Sequence, residues 1–253
     1  MTIRPIALIT GGSRGLGRNT ALNLARRGVD VIVTYRSRVD EAEAAIAEIE
    51  AAGGRAAALE LDAGAVASFP AFVEALKTTL RDTFQRDRFD YLVNNAGTGL
   101  RKMIAETTED EFDALMNVHL KGVYFLTQAL LPLINDGGRI INVSSGLARF
   151  AAPGSSAYAM MKGGIEVFTR YLAKELGQRG ITSNTVAPGA IATDFNGGHV
   201  RDNAEINRMV AGVTALGRAG VADDIGPMIA ALLSDDNRWV NAQRIEVSGG
   251  MNI

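Results

Sequence analysis

A chain of 253 residues with 47% hydrophobic and 21% charged residues can bury a large core, and α/β folds of this length often form one domain. Net charge is −2 without a basic cluster, which argues against nucleic acid as a partner, and the absence of Cys excludes disulfides, thiol catalysis and thiolate metal sites. Two His residues, His119 and His199, cannot build a His-rich site, so no metal is expected. The first residues enter an apolar strand without a cationic leader, and no apolar run approaches bilayer length. The expected location is therefore the cytoplasm, with no membrane partner.

Ile6 to Ile9 is a short apolar run, read as a first strand, and it leads into Thr10-Gly-Gly-Ser-Arg-Gly-Leu-Gly17. A helical pattern follows, with Leu16, Thr20, Leu24 and Ala25 on one face and Gly28 at its end. Asp30 to Tyr35 reads as a second strand. Ser37 starts a helix that turns Ala42, Ala45, Ile46 and Ile49 inward and stops at Gly53. Ala56 to Leu61 is a third strand ending at Asp62, and Ser68 is placed to cap a helix through Phe72, Val73, Leu76 and Leu80. The charged stretch Arg81 to Arg88 reads as a solvated loop before a fourth strand, Tyr91 to Val93, and Asn94-Asn-Ala-Gly97. Thr108 and Glu111 have the spacing of a capping box for a long helix through Asn117 to about Ile134. Ile140 to Val143 reads as a buried fifth strand, and Ala157 to Gln178 as a helix that Gly180 stops. Thr182 to Ala187 is a sixth strand, Ala222 to Leu233 a helix, and Arg244 to Val247 a seventh strand.

Strand and helix alternate throughout, and the strands are continuous apolar runs, the pattern of a parallel sheet covered on both faces. No linker, repeat or low-complexity segment divides the chain, so residues 1–253 are expected to form a single α/β domain. Gly11, Gly15 and Gly17 lie between the first strand and the first helix. There a bare backbone can approach a pyrophosphate, which the helix N-terminus holds. Their spacing is G-x-x-x-G-x-G, and such a turn alone also serves purely structural ends.

Tyr158 and Lys162, spaced i, i+4, share one helix face, and Ser145 lies at the end of the strand before them. A free phenol has a pKa of about 10, too high for ready proton exchange at neutral pH. An ammonium about 4 Å away, at an effective dielectric near 20, favours the phenolate by roughly 4 kcal/mol, or about three pKa units. Tyr158 would then serve as general acid or base, with Ser145 holding a substrate oxygen in line. Taken alone, the pair also fits an exposed Tyr and a solvated Lys on an ordinary amphipathic helix.

Thr10-Gly-x-x-x-Gly-x-Gly17, Asn94-Asn-Ala-Gly97, Asn117, Ser145, Tyr158-x-x-x-Lys162 and Pro188-Gly189, in this order, resemble the short-chain dehydrogenase/reductase family. The likeness covers nearly the whole chain and includes the thirteen-residue interval from Ser145 to Tyr158. It is similar in general to 3-oxoacyl-acyl-carrier-protein reductases and the ketone and sugar dehydrogenases near them. The resemblance implies a Rossmann-type, doubly wound parallel sheet of seven strands in a three-layer α/β/α arrangement, a nicotinamide cofactor and a homotetramer. It implies an oxidoreductase moving a hydride between NADP(H) and a carbonyl or secondary alcohol, with Tyr158 as general acid or base. Lys162 would lower the phenol's pKa and bind the nicotinamide ribose, Ser145 would orient the carbonyl, and Asn117 would interrupt its helix to hold a relay water.

Cofactor contacts implied by the resemblance are Gly11, Ser13, Arg14, Gly15, Leu16 and Gly17 in the first turn, and Tyr35, Arg36 and Ser37 after the second strand. Asp62, at the adenine amine, and Ala63 follow the third. Asn94, Ala96 and Gly97 follow the fourth, and Pro188, Gly189, Ile191 and Thr193 the sixth, with Tyr158 and Lys162 between them. A non-catalytic cofactor-binding regulator or scaffold of the same fold is the alternative; such a chain would be expected to lose Tyr158, Lys162 or Ser145. Asn241-Ala-Gln243 and Ser248-Gly-Gly250 depart from the family's usual Thr-Gly-Gln and Asp-Gly-Gly, which bears on oligomer packing and leaves a dimer open.

An acidic residue ending the second strand typically reads a ribose 2′-hydroxyl. Thr34-Tyr-Arg-Ser37 holds no carboxylate, and Arg36 with Arg14 suits a 2′-phosphate, so NADP(H) is the expected cofactor and NAD(H) a second. By the resemblance, Thr98 to Leu100, Leu147 to Phe150 and Asp194 to Leu216 line the substrate pocket, the last as a lid containing Gly197-Gly198. Leu147, Phe150, Phe195, Met209 and Val213 suit an apolar or aromatic carbonyl compound, while Arg149 and Arg101 leave room for an anionic group. Gly122 to Ile134 and Gly163 to Leu176 each carry a second apolar stripe, which points to self-association.

Overall fold

In the first strand Ile6 and Leu8 face one side of the sheet and Ala7 and Ile9 the other, and all four are completely buried. Period-two alternation with both faces covered recurs in Ile32 against Val31 and Val33, in Leu92 against Val93, and in Ile140 against Ile141. The computed structural model describes residues 4–253. Its strands are β1 (Ile6–Ile9), β2 (Asp30–Tyr35), β3 (Ala56–Glu60), β4 (Phe89–Asn94), β5 (Ile134–Val143), β6 (Thr182–Pro188) and β7 (Arg244–Val247). They form one parallel seven-stranded sheet in the order β3-β2-β1-β4-β5-β6-β7.

Helices α1 (Gly15–Ala25), α2 (Val39–Ala51) and α9 (Gly226–Leu232) cover one face through Leu24, Ile49 and Ile229. The other face takes α3 (Phe69–Phe84), α5 (Gly122–Leu130) and α6 (Ser156–Glu175) through Phe72, Leu76, Leu126 and Leu172. A smaller cluster of Leu115, Ala157 and Met161 joins α4 (Glu109–Met116) to α6. Beyond β6 lie two short helices, α7 (His199–Asp202) and α8 (Ala204–Gly212). Chain direction across the sheet reverses between β1 and β4, which opens a crevice at the carboxyl ends of those strands. The fold is the three-layer, Rossmann-type one expected.

Several boundaries differ from the sequence-based expectation. Helix α3 runs on to Phe84, because Phe69, Phe72, Leu76, Leu80 and Phe84 make one buried stripe; the charged residues from Arg81 ride on its outer side, and Gln85 in left-handed conformation ends it. Ser68 does not cap that helix with its side chain, which donates instead to the Ala65 carbonyl at 2.7 Å. Thr108 and Glu111 do form the capping box. The helix expected to reach Ile134 is broken into α4, a π-helical turn (Asn117–Lys121), α5 and a 3-10 turn (Leu131–Leu133). Ile134 already belongs to β5, paired with Phe89 ahead of a register shift, so that strand is ten residues long.

Candidate active site

The crevice is built from the loops that leave β1 and β4. Gly11 and Gly15 have φ of +63° and +55°, which side-chain-bearing residues adopt only with strain. At Gly17 a Cβ would lie 2.4 Å from the Gly11 carbonyl, so only glycine lets α1 start there. Thr10 Oγ1 accepts from the N–H groups of Asn95 and Ala96, both at 3.0 Å, and Asn95 Nδ2 donates to the carbonyls of Thr10 and Gly11 at 2.9 and 3.1 Å. These four bonds fix one loop against the other.

Arg14, at the N-cap of α1, is extended and gives no side-chain cap, and the first turn holds no acid. The N–H groups of that turn and the positive end of the helix dipole are therefore free for an anion. Beside Gly15 the space is open as far as Thr193, 4.0 Å from a Cβ built there, and a groove runs on past Asp194 and Arg201. Ser13 is buried and Leu16 half-buried in the same turn. A dinucleotide pyrophosphate fits this cradle by charge and by shape.

At the end of β2, Tyr35 is half-buried while Arg36 and Ser37 are exposed. Arg14 lies 3.9 Å from Glu41, and Arg38 pairs with both Asp40 and Glu41. Arg38 and Glu41 were not singled out from sequence, since they stand beyond the strand end where a ribose-reading residue is sought. Asp62 is exposed after β3, its Oδ1 accepting from Gly64 N–H at 2.9 Å, and Ala63 is half-buried against Gly122.

Asn94 departs from expectation. Its side chain turns into the protein, donating to Thr127 Oγ1 at 3.1 Å and Asn142 Oδ1 at 2.8 Å. Asn142 in turn donates to Thr169, and Thr169 bonds Thr185. The side-chain amide thus belongs to a buried polar ladder across β4, β5, α6 and β6, which leaves the Asn94 backbone, with Ala96 and Gly97, to border the crevice.

Lys162 is buried in α6, and its Nζ donates to the Val143 carbonyl at the end of β5 at 2.7 Å. The same Nζ lies 5.6 Å from the ring centroid of Tyr158, one turn earlier. Ser145 caps a 3-10 turn (Gly146–Ala148), its Oγ accepting from Leu147 N–H at 3.2 Å. Ser145, Tyr158 and Lys162 thus come together as expected. Burial pushes the Tyr158 phenol up and the neighbouring Ser145 hydroxyl pulls it back; burial brings Lys162 down to about 8. The acidified phenol anticipated from the Lys162 spacing is therefore opposed by desolvation.

Asn117 opens the π-helical turn, so the helix is interrupted where expected. Its carbonyl accepts from Gly122 N–H, and its Cβ lies toward Gly64. His119, two residues on and hence on a different side of the turn, stacks edge-on to Tyr158 with ring centroids 5.1 Å apart. His119 had been considered only as a metal ligand. Among the described residues, no cluster of three or more His, Asp or Glu is arranged to hold a metal.

Pro188 ends β6, and Gly189 packs so closely on Ser248 that a Cβ would lie 2.9 Å from it. Ile191 bridges to Gly220, and Thr193 Oγ1 accepts from Phe195 N–H at 3.3 Å. Phe195 faces the Tyr158 ring at 6.1 Å, and left-handed Asn196, Gly197 and Gly198 carry the chain from it into α7. Arg149 is paired with Glu246 through Nε and Nη2, and Nη2 also donates to the Met251 carbonyl, so two of its three nitrogens are already engaged. Ser144 and Glu166 escaped notice in the sequence: Glu166 accepts from Ser144 Oγ at 2.8 Å and from Arg244 at 2.7 Å.

A nucleotide cradle joined to a Tyr-Lys-Ser cluster defines a nucleotide-dependent oxidoreductase. The family model described as enoyl-(acyl carrier protein) reductase matches residues 11–252. A hydroxynaphthalene reductase-like protein of Metarhizium brunneum is 35% identical over 256 residues, covering 97% of this chain and 94% of its own. The promiscuous reductase LugOII, which carries out keto-reduction at C1 in lugdunomycin biosynthesis, is 38% identical with a TM-score of 0.94, and each chain is covered completely, 100% and 100%. The angucycline C-6 ketoreductase LanV, solved with bound NADP, is 35% identical with a TM-score of 0.94 over 99% of this chain and 96% of its own. The chain belongs to the short-chain dehydrogenase/reductase family and is an NAD(P)-dependent enzyme.

The Asn94 ladder yields a test. Asn94→Ala removes a buried donor from two partners and should cost about 1–3 kcal/mol of stability in chemical denaturation. Titration of NADPH fluorescence should give a Kd within about threefold of the unmutated protein. Unchanged stability with a large loss of affinity would return Asn94 to the cofactor.

Proposed function

We propose that the protein reduces apolar, aromatic ketones to secondary alcohols with NADPH, with Tyr158 as the proton donor. The observation that carries this reading is the convergence of Tyr158, Lys162 and Ser145 beneath the aromatic wall of Phe195. Relatives named for hydroxynaphthalene reduction and angucycline keto-reduction support the aromatic class, and the NADP held by LanV supports the phosphorylated cofactor. When bound, the nicotinamide nucleotide supplies the hydride for the carbonyl carbon, or accepts it in the reverse direction.

The residues of this chain do the rest. Ser145 Oγ donates to the substrate oxygen and holds it in line with the phenol. Tyr158 passes its proton to that oxygen as negative charge develops there, completing the alcohol. Lys162, charged at neutral pH, stabilises the phenolate left behind and offers donors to the ribose. Backbone at Gly11, Ser13, Gly15, Leu16 and Gly17 takes the pyrophosphate, and Arg14 and Arg36 take the 2′-phosphate. Tyr35, Ser37, Asp62 and Ala63 border the adenosine, while Ala96, Gly97, Pro188, Gly189, Ile191 and Thr193 border the nicotinamide half. NAD(H) is a weaker alternative. Phe195, Leu147, Phe150, Met209 and Val213 exclude water around a flat apolar ring system. Asn117, at the π-helical turn, holds a relay water with the second lone pair of its carbonyl, the first being taken by Gly122 N–H. The non-catalytic alternative would need the triad to be idle. No described helix is long and apolar enough to cross a membrane.

Tyr158→Phe removes the transferable proton alone. Turnover of an aromatic ketone panel, followed by NADPH oxidation, should fall about 10²- to 10⁴-fold with the NADPH Kd preserved. Retained turnover would reject the assignment. Arg36→Asp replaces a phosphate partner with a like charge, so the ratio of kcat/KM for NADPH over NADH should drop about tenfold or more. An unchanged ratio would place the 2′-phosphate elsewhere.

Assembly as a homotetramer belongs to the same proposal. Tyr124, Phe125, Val167 and Tyr171 on α5 and α6 are exposed, while Leu126, Leu130, Ile165 and Leu172 of the same helices are buried. The second apolar stripe is therefore uncovered within the subunit, and pairing of these helices about a two-fold axis would cover it. Light scattering at micromolar concentration should give the tetramer mass. A monomer mass contradicts this, and a dimer would indicate that the contact near Asn241 and Ser248 is lost.

A further inference from the structure

His119 has no task in the reading above, yet it presses on the centre of the site. The side chain is buried, 1% exposed, and stands edge-on to Tyr158 at an interplanar angle of 84°. It lies in the π-helical turn, where the extra residue re-aims side chains relative to an α-helix. A Cβ at position 97 would come within 2.7 Å of its Cε1, so Gly97 is what leaves the ring its place.

The two ring nitrogens have different surroundings. Nε2 lies 2.6 Å from the Thr98 carbonyl, a separation that requires a hydrogen between them, so Nε2 carries the proton. Thr98 N–H also points at Nε2, at 3.2 Å; the two contacts exclude each other, and the shorter one assigns the tautomer. Nδ1 is then a bare lone pair, and it is buried without a partner among the described residues. A buried acceptor without a donor is destabilising, so this one calls for an explanation. Desolvation and, after it, the charge of Lys162 hold the imidazole neutral, with its pKa down at about 3. Lys162 Nζ and the imidazole stand against the same phenol ring, 5.6 and 5.1 Å from its centroid, and only one of the three ammonium hydrogens is accounted for, by the Val143 carbonyl.

We propose that His119 is a positioning residue for the Tyr158–Lys162 pair: its bare Nδ1 accepts from the ammonium through one water, while Nε2–H anchors the loop at Thr98. The imidazole edge at the same time fixes the plane of the phenol. The role is that of a neutral acceptor with a set tautomer, not of a proton carrier. It rests on the reading of Tyr158 as the acid, and Asn117 cannot fill it, because its side lies toward Gly64.

Three replacements separate the two nitrogens. Asn places an amide oxygen near the position of Nδ1, Gln places one near Nε2, and Phe keeps the ring with neither. His119→Asn should keep kcat within about threefold, with any loss falling on KM through the freed Thr98 loop. His119→Gln and His119→Phe should bind NADPH normally but lose kcat about tenfold or more, the effect of one hydrogen bond to a charged group. A His119→Phe variant with full kcat, or rescue by Gln but not by Asn, would overturn the proposal. In the unmutated protein, ¹⁵N NMR of the histidines should show a neutral Nε2–H ring for His119 from about pH 5 to 9. An Nδ1–H tautomer or an ordinary titration would overturn it without any variant. Loss of activity in Tyr158→Phe is independent of these outcomes, so failure of the parent reading would be seen separately.

Discussion

The site is organised around a buried positive charge. An ammonium taken out of water is costly unless its hydrogens find acceptors, and Lys162 meets the Val143 carbonyl at 2.7 Å where β5 ends. That bond makes the end of one strand and the start of one helix a single unit. The same helix brings Tyr158 one turn before the lysine, and the same strand leads into Ser145. The unit is braced from outside, where Ser144 Oγ donates to Glu166 and Arg244 of β7 reaches both Glu166 and the Ser145 carbonyl. Pairing of Arg149 with Glu246 extends this bracing to the chain's last residues.

The cofactor cradle depends on a second constraint, the approach of two loops across the point, between β1 and β4, where the strand order reverses. Thr10 and Asn95 exchange bonds there, and small residues at Gly11, Gly17 and Ala96 let the backbones meet. Behind them the ladder from Asn94 through Asn142 to Thr169 and Thr185 satisfies polar groups that would otherwise be stranded inside a parallel sheet. Rigid strand ends and a tied crevice contrast with the segment after Thr193, where three successive left-handed residues precede α7.

Much of this was legible in the sequence because it lies in spacing. Continuous apolar runs gave away the strands, the positions of Gly11, Gly15 and Gly17 the first turn, and the i, i+4 interval the pairing of Tyr158 with Lys162. What sequence did not disclose depends on direction. Asn94 reads as a crevice residue, and only the pleat shows that its amide points inward to Asn142 and Thr127. Asn117 and His119 sit two apart in one helix, and only the π-turn decides which of them meets the tyrosine. Charge partners were equally hidden: Arg149 looked free until β7 brought Glu246 to it. The energetic balance at Tyr158 was also hidden, since spacing reveals the helpful charge but not the desolvation that opposes it.

The most direct test of the account is the pH dependence of kcat for ketone reduction. Lys162 is lowered from its ordinary value of 10.5 to about 8, so it is charged at neutral pH and loses that charge as pH rises past this value. Tyr158, pushed up by burial, stays protonated through the same range. With the phenol intact and the lysine charge withdrawn, the departing proton is no longer assisted. The account predicts a level rate between about pH 6 and 7 and a fall as pH passes about 8. A rate that stays constant up to about pH 10 would contradict it.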